Sequence, residues 1–305
     1  MIPAIILLYS LFQLSYADTQ PSSYKPDYPI AQAHLCRWRD YRILFIVHSS
    51  LTHYRHRMQI RNTWGNTFTR KEHSIALIFF LGVADYATPR EIEKLYLESN
   101  KYKDIVQADF LDTYRNLSFK ALSWLHWVSV YCPGLDFVIK TDEDILVDVP
   151  PLARHLQHVL KYKQGNLNNT ILCYVWDNMK VIRNTTGLGG FEKWSLTYQE
   201  YPNDTFSNYC SGSVYAVTGD VPAKLFAASF RENFLWIDDF YITGLLTQSA
   251  KIDFHFLNSM YIVYPAGAYR EEFIASNKVF IHVMHQIDKR LHMWKRILRR
   301  SKREY

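Results

Sequence analysis

Short unbroken apolar runs alternate with longer amphipathic stretches along the chain. Tyr41-Arg42-Ile43-Leu44-Phe45-Ile46-Val47 runs into His48-Ser49-Ser50, and Ile75-Ala76-Leu77-Ile78-Phe79-Phe80-Leu81-Gly82 follows a basic stretch. Runs of this length with no polar face predict strands buried on both sides, each closed by a turn. Leu135-Asp136-Phe137-Val138-Ile139 predicts a third strand, and residues 212–218 a late one. Between these runs the pattern turns helical. Residues 53–64 predict a basic helix. Thr88-Pro89-Arg90-Glu91 is a capping box with proline at the first helical position, opening a helix with Ile92, Leu95 and Tyr96 on one face. Leu117, Ala121, Trp124, Val128 and Tyr131 recur at helical spacing across 116–131, and Cys132-Pro133-Gly134 ends that helix. Residues 151–162 predict another helix, and Gly219-Asp220-Val221-Pro222 starts one more. Strands alternating with helices argue for a mostly parallel sheet with helices on both faces.

Composition narrows the class. With 305 residues, 48% hydrophobic and 21% charged, and only 11 Gly and 11 Pro, the chain is neither disordered, collagen-like nor coiled-coil. The length fits one elaborated α/β domain or two smaller ones. The net charge of +6 is concentrated in residues 289–303, which carry eight basic residues and no acid. The remainder is close to neutral, so no nucleic-acid surface is expected, and the tail reads as a solvated helix.

Residues 2–14 are uncharged and apolar apart from Ser10 and Gln13, shorter than the roughly 20 residues of a bilayer span. They read as a signal peptide with Ser15-Tyr16-Ala17 as the cleavage candidate, or as a short signal anchor. The expected organisation is a targeting segment over 1–17, a stem over 18–40 and a folded domain over 41–300. Sequons at Asn116, Asn168, Asn184 and Asn203 agree with entry into the secretory pathway. Cys36, Cys132, Cys173 and Cys210 form no C-x-x-C pair, which argues against zinc. In an oxidising lumen they predict one or two disulfides, with three full connectivities open.

The sharpest chemical feature is Thr141-Asp142-Glu143-Asp144, three adjacent carboxylates interrupting an apolar segment. Buried and unpaired they would be very costly, so they belong at a strand end, in water or on a cation. Acids at i and i+2 there can grip a hard divalent ion that also holds substrate phosphates; an acidic surface turn is the alternative. A second pair, Asp238-Asp239, lies among Trp236, Ile237, Phe240 and Tyr241. It reads either as a helix N-cap or as a general base with a raised pKa. Arg57 and Arg61, four apart on one helical face, read either as a solvated basic face or as a diphosphate clamp. No nucleophile elbow, Walker A loop, dinucleotide fingerprint or H-E-x-x-H is present, and Gly187-Leu188-Gly189-Gly190 follows no predicted strand.

These segments also occur together in a particular order. They run Arg57-Met58-Gln59-Ile60-Arg61-Asn62-Thr63-Trp64-Gly65, Phe79-Phe80-Leu81-Gly82, residues 104–120, Lys140-Thr141-Asp142-Glu143-Asp144, Tyr209-Cys210-Ser211-Gly212-Ser213 with Gly219-Asp220, Asp238-Asp239-Phe240-Tyr241 before Gly244, and His285-Gln286-Ile287 with Trp294. In this the chain resembles the β-1,3-galactosyltransferase family, glycosyltransferase family 31, which includes β-1,3-N-acetylglucosaminyltransferases.

The resemblance implies a single catalytic domain of GT-A-like, Rossmann-related α/β architecture, a mostly parallel sheet flanked by helices. It implies a Golgi type II membrane protein with the catalytic part in the lumen. It implies an inverting transfer of a hexose or N-acetylhexosamine, galactose foremost, from a UDP-sugar to the 3-hydroxyl of a glycan on protein or lipid. Asp142 and Asp144 would hold Mn²⁺ or Mg²⁺, with His285 a further ligand. Arg57, Arg61 and Glu143 would contact the donor, and Asp239 would be the base. Glu143 stands where the family usually has Asp, Asp238 where it has Glu, and His48 where many members have Lys. Two residues fewer separate His285 from Trp294. The rival expectation is a luminal carbohydrate-binding or scaffold protein of the same fold without turnover.

Overall fold

The computed structural model describes residues 24–37, 41–162, 167–183, 191–262, 278–283 and 287–301. The targeting segment, Asn184, residues 187–190 and His285 lie outside the described residues.

A seven-stranded sheet holds the molecule together. It comprises β1 (Ile43–His48), β2 (Ile75–Val83), β3 (Ile105–Leu111), β4 (Phe137–Asp142), β6 (Thr170–Trp176), β7 (Tyr209–Thr218) and β8 (Asp253–Phe256) in the order β3-β2-β1-β4-β7-β6-β8. The pairs β1–β2, β1–β4, β2–β3 and β6–β8 are parallel, and β7 runs antiparallel to both neighbours. A small sheet of β5 (Ile145–Val147), β10 (Phe280–His282) and β9 (Tyr261–Ile262) lies apart from it.

The alternation of side chains along a strand divides the apolar runs between two cores. Leu44, Ile46, Ile78, Phe80 and Val138 face Trp124 and Trp127 of the helix Leu117–Tyr131. Phe45, Val47, Leu77, Phe79 and Ile139 face Leu152 and Leu156 of the helix Val149–Tyr162. Trp124 and Trp127 are fully buried, and truncating either to alanine is worth roughly 3–5 kcal/mol. The helix Pro89–Tyr102 begins on the capping box read from the sequence: Thr88 and Glu91 satisfy each other's backbone N–H groups.

The strand pattern is corrected at one point. Ile105–Leu111 is a strand the pattern missed, so the acidic triplet closes the fourth strand, not the third. The polar residue Gln107 interrupts that run but is buried, its Nε2 donating to the Gly82 carbonyl at 3.0 Å. Residues 24–37, expected as stem, pack on the domain. Tyr24 and Ile30 are buried, Ile30 bridges to Gln107, and Cys36 is bonded to Cys132. The second disulfide joins Cys173 on β6 to Cys210 on β7, so all four cysteines are paired. No helix among the described residues is long and apolar enough to cross a membrane.

Candidate active site

Parallel pairing of β1 with β4 sets His48 opposite Asp142, so the carboxyl ends of both strands meet at one edge of the sheet, where α/β sheets open their ligand crevice. Antiparallel pairing of β7 with β4 sets Val214 opposite Thr141, bringing the start of β7, with Gly212, to that same edge. Lys140 joins the two. Its buried ammonium donates to Asp142 Oδ1 at 2.7 Å and to the Gly212 carbonyl. Burial pulls this lysine's pKa down, but Asp142, Asp238 and Asp239 outweigh it and hold the ammonium above its ordinary value.

The three acids of the triplet point to three partners. Asp142 faces Lys140. Glu143 pairs with His53 Nδ1 at the mouth of the helix Tyr54–Asn62. Asp144 Oδ2 meets His282 Nε2 at 2.9 Å, and its backbone carbonyl accepts from the Val283 N–H, also at 2.9 Å. Burial raises the Asp142 carboxyl to about 6, with the Asp144 charge adding and Lys140 opposing. Asp144 goes the other way: burial is outweighed by the His282 hydrogen bond and by the nearby Arg290 charge, so its pKa is lowered.

Asp239 lies on a short helical turn, Asp238–Phe240, that passes into a π-turn, Tyr241–Leu245, and then Leu246–Ser249. Such π-turns recur at functional sites. Neither aspartate caps the turn with its side chain, so the N-cap alternative is not realised. Instead Asp239 Oδ2 accepts from the Gly212 backbone N–H at 3.0 Å. The fit leaves no room for another side chain: a Cβ on Gly212 would fall 1.5 Å from Asp239 Oδ1. Thr243 Oγ1 donates to the Asp239 carbonyl at 2.5 Å and accepts from the Cys210 N–H at 2.8 Å, fastening the turn to β7. Burial, helped by the Asp238 charge, raises the Asp239 carboxyl to about 7, inside the range of a general base at neutral pH.

Arg57 and Arg61 are not brought to this edge as free donors. The Arg57 guanidinium is fully buried. It grips Glu98 through Nε at 2.8 Å and Nη2 at 2.6 Å, and also donates to Ser49 Oγ and the Ser50 carbonyl. Arg61 holds Asp104 at 2.9 and 2.7 Å and Glu98 at 2.7 Å, and it stacks on Tyr102 at 4.0 Å. The pair clamps its helix to the neighbouring helix and to Asp104 just before β3, so the solvated-face reading does not hold.

Three residues that the sequence reading left without a role converge on the site. Lys140 was embedded in the acidic motif. His282 closes β10, opposite Ile145 and therefore beside Asp144. Arg290, on the helix Ile287–Ser301, is fully buried, and all three guanidinium nitrogens lack a hydrogen-bond partner. Burial lowers its pKa to about 10, against the opposing pull of Asp144 and Glu143. His48, buried at the end of β1, has neither ring nitrogen bonded; burial, helped by Lys140 and Lys120, keeps it neutral.

Among known proteins, residues 55–258 match the family model described as Galactosyltransferase. The chain is 30% identical over 266 residues to beta-1,3-galactosyltransferase 5 of Gorilla gorilla gorilla, spanning 87% of this chain and 85% of that one. It is 34% identical over 221 residues to lactosylceramide 1,3-N-acetyl-beta-D-glucosaminyltransferase A of Xenopus laevis, spanning 70% of this chain and 56% of the relative. With the family match running from the clamp helix through Asp239 to just past β8, the chain belongs to the galactosyltransferase family and is a glycosyltransferase.

Proposed function

We propose that the chain is an inverting β-1,3-glycosyltransferase that moves a hexose or N-acetylhexosamine, galactose foremost, from a UDP-sugar to the 3-hydroxyl of a glycan on protein or lipid. One observation carries this reading: the Asp239 carboxylate sits on the Gly212 N–H, raised to about 7, at the edge that also gathers Asp142 and Asp144. A single raised carboxyl suits a single displacement, in which no covalent carboxylate nucleophile is needed.

Asp239 takes the proton from the acceptor hydroxyl as its oxygen attacks the anomeric carbon; geometry requires the two within hydrogen-bond reach or one water apart. Lys140 holds Asp142 and the Gly212 carbonyl together, so the acid turn and the seat of the base move as one. Arg290 is the donor to the diphosphate, because all three of its guanidinium nitrogens lack a partner whereas every guanidinium nitrogen of Arg57 and Arg61 is already engaged.

The donor set fits a hard divalent cation such as Mn²⁺ or Mg²⁺: Asp144 Oδ1 is buried with no hydrogen-bond partner, and Asp142 and His282 complete a mixed oxygen and nitrogen set. Asp142, Asp144 and His282 would hold such an ion, which would supply charge neutralisation for the departing diphosphate. Four paired cysteines fit an oxidising lumen, in keeping with a Golgi enzyme whose catalytic part is luminal.

The test is release of UDP from a panel of UDP-sugars with Mn²⁺ and simple acceptors, followed by linkage analysis of the product. Asp239→Asn is expected to abolish transfer while UDP affinity persists. Turnover retained in that variant removes Asp239 from its role, and no UDP release from any donor by the wild type favours the non-catalytic scaffold.

A further inference from the structure

The middle acid of the triplet turns away from its neighbours and toward two imidazoles. His53 stands just before the helix Tyr54–Asn62, and its carbonyl accepts the Arg57 N–H at 3.1 Å. His56 follows three residues later, so both rings leave the first turn on one side. Their centroids are 4.8 Å apart at 41°. Glu143 reaches them from the loop between β4 and β5, with Oε1 in contact with His53 Nδ1. One ligand atom from each of His53, His56 and Glu143 lies within 4.8 Å of the other two.

A plain His53–Glu143 ion pair leaves two things over. His56 is directed at the same place. Glu143 Oε2 is buried, without a hydrogen-bond partner, although the side chain is only 13% exposed. An orphaned buried carboxylate oxygen is costly unless a ligand completes it.

We propose that His53, His56 and Glu143 form a second metal site, selective for Zn²⁺-class ions and separate from the Asp142–Asp144 pair. Two imidazoles and one carboxylate are the donor set of a zinc site with three protein ligands, leaving a fourth tetrahedral position for water. Nitrogen donors select zinc and late transition metals over the Mg²⁺ or Mn²⁺ that carboxylates favour. The argument against zinc from cysteine spacing does not reach this site, which uses no cysteine. A metal here ties the start of the helix to the acid turn, through a side chain flanked by Asp142 and Asp144.

The proposal is independent of sugar transfer and is tested without donor or acceptor. The folded chain, stripped with chelator and dialysed, is titrated with ZnCl₂ by calorimetry and with Co²⁺ by visible absorption, which reports four-coordinate geometry. Wild type is expected to take up Zn²⁺ with tetrahedral Co²⁺ bands. His53→Gln/His56→Gln is expected to weaken uptake more than about 100-fold, since even outer partners of a metal ligand are worth ~10–100-fold. His56→Gln alone, checked by circular dichroism, serves if the double variant misfolds. Asp144→Asn is expected to keep zinc uptake while losing Mn²⁺-dependent UDP binding, which separates this site from the donor site. Unchanged Zn²⁺ affinity in the histidine variants, or its loss in Asp144→Asn, overturns the proposal.

Discussion

Gly212→Ala is the smallest change that tests the seat of Asp239. The added methyl would lie 1.5 Å from Asp239 Oδ1, 2.2 Å from Cγ and 2.6 Å from Oδ2. Non-bonded contacts settle near 3.5 Å, so the carboxylate has to retreat by roughly 2 Å. The backbone has little freedom to take up the shift, because β7 is paired to β4 through Val214 and to β6 at Cys210 and Tyr215 on either side of Gly212. Misplacing a reacting group by ~1 Å costs about 100-fold in rate, so kcat is expected to fall at least about 100-fold, or about 2.7 kcal/mol of barrier. UDP affinity is expected to hold, because Asp142, Asp144 and Arg290 are untouched. The measurements are steady-state UDP release, UDP calorimetry and a thermal melt to show that the variant is folded. A folded Gly212→Ala enzyme with kcat within about tenfold of wild type would refute the assignment of Asp239 and its platform.

Three other outcomes follow from the same geometry. The base must be deprotonated to act, so kcat/KM is expected to rise with pH through a midpoint near 7, where burial and the Asp238 charge hold the Asp239 carboxyl. Asp238→Asn removes that charge and should move the limb to lower pH; a profile that does not move contradicts the coupling. The same raised pKa means that the stability Asp239 contributes is full below its ordinary value of 3.8 and is lost as pH rises through about 7. Arg57→Ala leaves Glu98 short of its bidentate partner and is expected to cost about 3–5 kcal/mol in denaturant melts, with the KM for donor in the folded fraction unchanged. A selective rise in that KM would restore Arg57 to the donor site. Cys173→Ala/Cys210→Ala opens a crosslink of sequence separation 37 and is expected to lower stability by roughly 4 kcal/mol on the chain-entropy account, read as a shift of the urea midpoint.

Much of this was legible before any coordinates because it is local. β1, β2 and β4 show as apolar runs, and the Thr88–Glu91 box sets a helix start within four residues. The acid triplet had to meet solvent or a cation, whichever sheet it closed. What escaped depends on distant partners. Helical spacing puts Arg57 and Arg61 on one face, but it carries no record of Glu98, 41 and 37 residues away, which absorbs both. His282 carries no local signal of its role, because only the antiparallel register of β10 against β5 sets it next to Asp144. Arg290 was hidden by its own surroundings: a tail dense in charge reads as solvated, yet this one position faces inward and is fully buried. β3 was masked by Gln107, whose polarity is satisfied by a carbonyl on the adjacent strand.

The direction of β7 is the deepest of these non-local facts, because a buried apolar strand has the same pattern read either way. Running antiparallel to β4, it delivers Gly212 to the edge where Asp142 ends. A parallel β7 would deliver Thr218 there, and Gly212 would lie about 20 Å away at ~3.3 Å per residue. No helix following β7 could then set Asp239 on that glycine. The antiparallel start of the strand is also its best-anchored part. Cys210 is covalently tied to Cys173 on β6, its N–H is bound by Thr243, and Thr243 in turn holds the Asp239 carbonyl. The proposed base therefore takes its position from a chain of contacts that ends in a covalent bond. That chain explains how a carboxyl raised to about 7 by burial stays seated on a bare backbone N–H rather than swinging out to water.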